Sequence, residues 1–213
     1  MVERKVVIIG GGFGGLNVAK ALKRARCTVT LIDKKNHHLF QPLLYQTATA
    51  ALSAPDIATP LREVLKNQAN TKVIMGTVEK IKKEKKEIVL ENGEKVPYDN
   101  LVIATGAKHS YFGNSHWERY APGLKTVLDA LKIREKILIS FEKAERLDNI
   151  NKVQSYLNFV IVGAGPTGVE MAGAIAEIAH KTLFKNFKKI SPEKSNIYLI
   201  EGCDRILPAF PKK

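Results

Sequence analysis

The sequence predicts an α/β fold made from two copies of one strand–turn–helix–strand unit, and two observations predict it. VVIIGGGFGG at residues 6–15 and FVIVGAGPTG at residues 159–168 share one pattern, an apolar β-branched run that ends in glycines. Each is followed by a helical stretch and then by a second apolar strand ending in an acid, Asp33 in the first unit and Glu201 in the second. Two strands joined through a single helix pair in parallel, so each copy is a βαβ unit. The internal repeat gives the fold class before any element is placed.

The elements follow in order. Residues 5–9 (KVVII) are a buried strand, continuous in apolar character as parallel strands are. Asn17–Arg24 is the first helix, with Leu16, Ala19 and Leu22 or Lys23 about a turn apart, and Cys27–Asp33 (CTVTLID) is the second strand. Residues 34–55 begin polar and become apolar and proline-punctuated, which predicts a long loop with a short helix. Asp56–Lys66 has helical spacing behind Asp56 as its cap. Val73–Ile81 and Glu87–Leu90, split by KKEKK and followed by Asn92-Gly93, predict a small antiparallel meander at about 73–97. Leu101–Ala104 is another buried strand, residues 107–122 a loop, and Thr126–Leu147 an amphipathic helix with Leu128, Leu131, Leu138, Phe141 and Ala144 near one stripe. The second unit runs from strand 159–162 through a helix from Thr167 to Lys188 and a break at Ser191-Pro192 to strand Ile197–Glu201.

Bulk properties narrow the function. The 213 residues, 45% hydrophobic, suit one large domain or two small ones with a proper core. No run approaches the 18 or more apolar residues of a spanning helix, and MVERKVVIIGGG goes straight into a strand, so neither a transmembrane segment nor a signal peptide is expected. Cys27 and Cys203, far apart, make no disulfide framework and fit a reducing, cytoplasmic compartment. The net charge of +13 concentrates at Lys80–Lys86, Lys181–Lys189 and Lys212–Lys213. Such a charge either solvates exposed faces or meets an anionic membrane surface or anionic small molecules. No zinc finger, RNP sheet or arginine-rich arm is present, so a nucleic-acid partner is not expected.

Gly10, Gly12 and Gly15 occupy G-x-G-x-x-G positions between a strand and a helix. The first permits a tight turn, the second lets a pyrophosphate approach the backbone, and the third lets helix and strand pack closely. The helix N-terminus offers free N–H donors and a partial positive field. Asp33, 23 residues after Gly10, stands where a carboxylate accepts hydrogen bonds from a ribose diol. Gly163, Gly165 and Gly168 repeat the arrangement with Glu201 as the acid, although 38 residues separate Gly163 from Glu201. That carboxylate favours NADH over NADPH, with Arg205 nearby tempering the preference; a plain pairing with local lysines is the alternative. Two such loops suit a protein in which one dinucleotide, a flavin, stays bound while a nicotinamide delivers hydride to it.

NHHLFQPLLYQTATAALSAPDIATPLR (36–62), with GGGFGG, LVIATGA (101–107) and FVIVGAGPTGVEMAGAIAE (159–177), closely resembles the type II NADH dehydrogenases, single-subunit, non-proton-pumping NADH:quinone oxidoreductases. The resemblance implies two Rossmann-like dinucleotide-binding units of the two-domain flavoprotein reductase type, the second one truncated. It divides the chain into an FAD-binding domain at 1–115 and an NADH-binding domain at 116–213, whose Rossmann unit starts at 157. It implies that FAD is held by Gly10, Gly12, Gly15 and Asp33, by Asn36 or His37, by Val78 beside the adenine, and by Ala104, Thr105 and Gly106. NADH falls to Gly163, Gly165, Gly168 and Glu201. Glu170 resembles the family glutamate near nicotinamide and flavin, and Gln46 a residue at the flavin and quinone end. Read from the residues alone, Glu170 is equally a first-turn carboxylate favoured by the helix dipole, and Gln46 needs partners that flavin edges or a loop carbonyl would supply. His37 and His38 lack a third ligand at metal-site spacing, so no metal is expected.

The resemblance further implies a peripheral protein on the cytoplasmic side of the cell membrane, a homodimer at full length, with quinone and the anionic membrane surface as partners met through a later segment. The sequence ends at about half the family's length, so weak turnover or none is expected of these residues alone. A soluble flavin reductase with a non-quinone acceptor and a non-catalytic nucleotide-binding fragment are the alternatives. Disulfide reductases of the same plan carry C-x-x-x-x-C where this chain has HHLFQPLLYQ, and sulfide:quinone reductases need reactive cysteines; neither is expected.

Overall fold

The computed structural model describes residues 3–211, so the Lys212–Lys213 pair lies outside the described residues. The chain divides into two compact units. One comprises residues up to Leu39 together with Ala58–Lys108; the other comprises Phe40–Ile57 and the residues from His109 onward.

The first unit is a parallel sheet with different cover on its two faces. Strands β1 (Arg4–Ile9), β2 (Cys27–Asp33), β5 (Thr71–Met75) and β9 (Asn100–Ile103) lie in the order β5-β2-β1-β9, all neighbours parallel. Side chains alternate across a strand. Val6 and Ile8 therefore pack with Leu16 and Ala19 of helix α1 (Phe13–Ala21) and with Leu61 and Leu65 of helix α4 (Leu61–Leu65). Val7 and Ile9 face the other way, onto Ile88, Leu90 and Val96 of the meander β6 (Val78–Lys82), β7 (Glu87–Leu90) and β8 (Lys95–Pro97). The buried Gln68 amide donates to Ala19 O at 2.6 Å, satisfying a carbonyl at the end of α1.

Three expectations need correction here. The first helix starts at Phe13, directly on the glycine turn, and ends at Ala21 before a 3-10 turn. The run 73–81 is two strands: Thr71–Met75 joins the parallel sheet, the chain breaks at Gly76, and only Val78–Lys82 enters the meander. Asp56–Lys66 is not one helix. Ile57, Leu61 and Leu65 are buried at helical spacing, but Pro60 cannot continue a helix. The chain instead makes a short helix α3 (Ala54–Ile57), a strand β4 (Ala58–Pro60) paired antiparallel with β3 (His37–Leu39), and then α4. Asp56 accepts from the Ser53 N–H and hydroxyl rather than capping a long helix.

In the second unit the long helix is α5 (Val127–Glu145), opened by a capping box in which Thr126 and Asp129 bond each other's backbone N–H. Its buried positions are Ala130, Ile137, Phe141 and Ala144; Leu128 and Leu131 of the expected stripe stand exposed. Helix α2 (Leu44–Ala48) packs against α5, and α6 (Ile150–Tyr156), capped by Asn149, precedes β10 (Asn158–Val162). Strand β10 pairs in parallel with β11 (Asn196–Ile200) through α7 (Pro166–Glu177). Helix α7 stops eleven residues short of the expected Lys188, passing through a π turn at Ile178–Thr182. Phe187 leaves the helix to stack near Phe141, whose ring also meets Phe159 at 5.4 Å between centroids.

Phe141 is fully buried and links three elements of this unit. Phe141→Ala is expected to destabilise by about 3–5 kcal/mol, read as a lowered urea midpoint in circular dichroism. Leu128→Ala, on the exposed side of the same helix, is expected to stay within about 0.5 kcal/mol.

Candidate functional site

The two glycine turns reach the same backbone solution independently. Gly10 and Gly163 sit at φ +105° and +101°, where an L side chain is strained. A Cβ on Gly15 would overlap the Gly10 carbonyl oxygen, and one on Gly168 would overlap that of Gly163, so each third glycine is where helix meets turn. Gly12 and Gly165 are the N-caps of α1 and α7, both extended, at φ −75° and −71°. A Cβ on either would meet no atom within 4 Å, which leaves the backbone open to an approaching anion.

Each turn is braced by the acid at the end of the neighbouring strand. Asp33 Oδ2 accepts the Gly11 N–H at 2.5 Å and Oδ1 accepts the Lys35 N–H at 2.7 Å. Glu201 Oε2 accepts the Ala164 N–H at 2.7 Å, and Oε1 accepts those of Gly202 and Cys203 at 2.7 and 3.1 Å. The unequal spacing of the two acids disappears in the sheet. Ile9 pairs with Ile32 and Val162 with Ile200, so each acid lies one residue beyond the matching register position. The Ala164 N–H first, then those of Cys203 and Gly202, hold the Glu201 carboxyl below its ordinary 4.5, against a smaller opposing effect of burial.

Around the first turn stand residues that the motif did not identify. A Cβ on Gly11 would run into the Leu61 side chain, which is fully buried beneath the turn. His38 Nδ1 lies 3.2 Å from Gly11 O, and its ring meets Phe13 edge-on at 4.8 Å. The run of three glycines was the available signal for Gly11; Leu61 carried none, because its contact is made in three dimensions. Ala104 closes the opposite side: its N–H bonds Ile9 O at 2.8 Å and its carbonyl lies against Gly10. Thr105 and Gly106, the latter at φ +71°, continue from there. Asn36 O accepts the Leu61 N–H at 2.9 Å, and Asn36 Oδ1 lies 3.2 Å from His37 Nδ1. His37 Nε2 is buried with no hydrogen-bond partner among the described residues, an unused hydrogen-bonding atom at this site. Val78 packs against the meander core.

The second unit brings Gln46 and Glu170 together. Both line a cavity of about 450 Å³ with Tyr45, Thr49, Ala174 and Lys181. Gln46 Nε2 donates to Tyr45 Oη at 3.2 Å. Among the described residues no group of three His, Cys, Asp or Glu side chains is arranged to hold a metal, and no helix is long and apolar enough to cross a membrane.

Residues 4–213 match the family model of the pyridine nucleotide-disulphide oxidoreductases. The chain belongs to this family. It is similar over nearly its whole length to the type II NADH:quinone oxidoreductases Ndh and NdhA of Mycobacterium tuberculosis, at 48% and 47% identity, with 99% of this chain and 46% of each relative covered. The structure of NDH2 from Plasmodium falciparum in complex with NADH is similar at TM-score 0.87 and 32% identity, covering 99% of this chain and 44% of that one. The sulfide:quinone oxidoreductase of Aquifex aeolicus is similar at TM-score 0.69 and 27% identity, covering 93% and 43%. The chain thus spans about half the length of the curated relatives it matches. The expected α/β flavoprotein-reductase fold and the expected relationship to type II NADH dehydrogenases both hold. The disulphide of the family name has no counterpart in residues 37–46, where no cysteine occurs; Cys27 is buried in β2 and Cys203 is exposed.

A carboxyl whose folded pKa is depressed stabilises fully above its unfolded value and loses that contribution as pH falls through the folded value. The Ala164 and Gly202 amide resonances are therefore expected to titrate together below pH 4.5, and Glu201→Gln to abolish that titration.

Proposed function

We propose that this chain carries both dinucleotide sites of an FAD-dependent NADH:quinone oxidoreductase, with FAD on the first glycine turn and NADH on the second. The observation that carries the reading is the pair of equivalent turns, each open at its middle glycine and each braced by a strand-end acid. The relationship to NADH:quinone oxidoreductases supports the choice of ligands and their order. Bound there, FAD would supply a hydride acceptor for NADH and a two-electron donor for quinone.

The chain's own residues supply position and electrostatics. The N-terminal N–H groups of α1 and the open backbone at Gly12, between Gly10 and Gly15, receive the FAD pyrophosphate. Asp33 keeps lone pairs free for a ribose hydroxyl after bonding Gly11 and Lys35. The unpartnered His37 Nε2 and the Asn36 amide supply further polar contacts, Ala104, Thr105 and Gly106 border the same turn, and Val78 is assigned to the adenine. Gly163, Gly165 and Gly168 receive the NADH pyrophosphate in the same way.

Glu201 repels a 2′-phosphate, and Arg205 does not offset it. The Arg205 guanidinium is committed to the Pro208 and Phe210 carbonyls, both at 2.8 Å. NADH is therefore preferred over NADPH. Glu170 and Gln46 share one cavity wall and are assigned to the quinone-reducing end, where an amide and a carboxylate orient a carbonyl acceptor and carry its proton. The whole protein is read as a peripheral homodimer on the cytoplasmic face of the membrane, a reading that rests on the family resemblance.

The test is an anaerobic titration of the purified chain reconstituted with FAD. Flavin absorption is expected to bleach with NADH, to persist with NADPH, and to return with quinone slowly, in keeping with the weak turnover expected of these residues alone; return only with water-soluble acceptors would exclude Gln46 and Glu170 as a quinone-reducing end. Asp33→Ala is expected to weaken FAD retention about tenfold or more, as the loss of a charge-assisted hydrogen bond implies. Unchanged FAD affinity in that variant would sink the assignment of the first turn.

A further inference from the structure

Residues 178–192 (IAHKTLFKNFKKISP) contain four lysines and no acid. The loop they form is held firmly from behind. Phe187 stacks on Phe141, and Glu145 at the end of α5 accepts the backbone N–H groups of Lys188, Lys189 and Ile190 at 2.9–3.1 Å. Ile190 is buried and Lys185 adopts φ +62°, a reversal that a lysine takes only in tight turns. With the backbone donors turned inward, the lysine side chains stand exposed.

Phe184 is 45% exposed beside them, with Lys185 Nζ 5.0 Å from its ring centre. Lys181 and Lys189 meet Glu177 and Asp148 in exposed pairs at 2.8 Å, which exchange readily for other anions. No carboxylate within salt-bridge distance faces Lys185 or Lys188 among the described residues. A loop that displays a half-exposed aromatic ring beside a lysine ammonium, with further exposed lysines in the same segment, matches the chemistry of a lipid headgroup layer. Amines meet phosphates there, and an aromatic ring settles at the polar–apolar boundary. The loop contains no arginine, the residue that forks onto nucleic-acid phosphates and stacks on bases.

We propose that residues 181–189 form a docking surface for an anionic phospholipid bilayer, with Phe184 entering the headgroup layer and Lys185 and Lys188 meeting its phosphates. This surface belongs to the second unit itself and is independent of which dinucleotide each turn holds.

The test is cosedimentation of the 213-residue chain with vesicles of phosphatidylglycerol in phosphatidylcholine, against phosphatidylcholine alone. Binding is expected with the anionic vesicles only and is expected to weaken as salt rises. The double variant Lys185→Glu, Lys188→Glu should weaken it about tenfold or more, and Phe184→Ser by several-fold. Lys83→Glu with Lys85→Glu removes the same charge from the exposed meander turn and should leave binding within about twofold. Equal loss in both lysine pairs would mean attraction to net charge alone and would overturn the proposal, as would equal binding to neutral vesicles. Displacement by duplex DNA at matched phosphate concentration, through the same two lysines, would assign the surface to nucleic acid instead. Thermal melts confirm that each variant is folded; if Phe184→Ser is not, the paired lysine variants decide.

Discussion

Each glycine turn in this molecule is tied to the sheet twice, by the N–H of its first glycine on a carbonyl of the next strand and by the N–H of its second residue on the carboxylate that ends that strand. Gly11 to Asp33 and Ala164 to Glu201 are the two carboxylate bonds. The parallel register makes these possible, because each acid falls one step past the residue paired with the end of the preceding strand. The turn in turn sets the start of the helix, and the helix N-terminus sets the place where a pyrophosphate can be met. Ligand chemistry therefore rests on a contact that involves no ligand.

The proposed ribose contact gives the same carboxylate a second role. An ionised acid offers about four lone-pair positions, and Asp33 uses two of them on backbone N–H groups. Ribose recognition and turn bracing are compatible for that reason. Substitution of either acid then changes the shape of the turn as well as its affinity, so a neutral isostere informs more than a truncation.

Most of the architecture was legible because its signals are local. Apolar runs ending in glycine gave β1 and β10, and the acids at 33 and 201 marked the ends of β2 and β11. What was not legible depends on distant partners. The 73–81 run is β-prone on either side of Gly76, and pairing with β2 draws its first part into the parallel sheet while the second part enters the meander. Residues 178–188 mix strong helix formers (Ala, Leu, Lys) with weaker ones (His, Thr, Phe, Asn) and carry no Gly or Pro to mark a stop, and the contacts of Phe187 with Phe141 and of Glu145 with three N–H groups accompany the early end of the helix. Pro60 was a visible warning against one helix over 56–66, outweighed by the spacing of Ile57, Leu61 and Leu65. At the site, the motif glycines and acids were legible, and Gly11 stood in a visible run of three glycines; Leu61 and His38, which wall the first turn, were not. The grouping of Gln46 with Glu170 on one cavity had been implied by family resemblance and by no pattern in the chain.

The proposed function requires that the two equivalent turns serve two different dinucleotides. Backbone amide exchange with FAD alone, and then with NADH added, tests it most directly. FAD is expected to slow exchange at Gly11–Gly15, and NADH to add separate protection at Ala164–Gly168. Protection of the same turn by both nucleotides, or of neither turn by either, would contradict it.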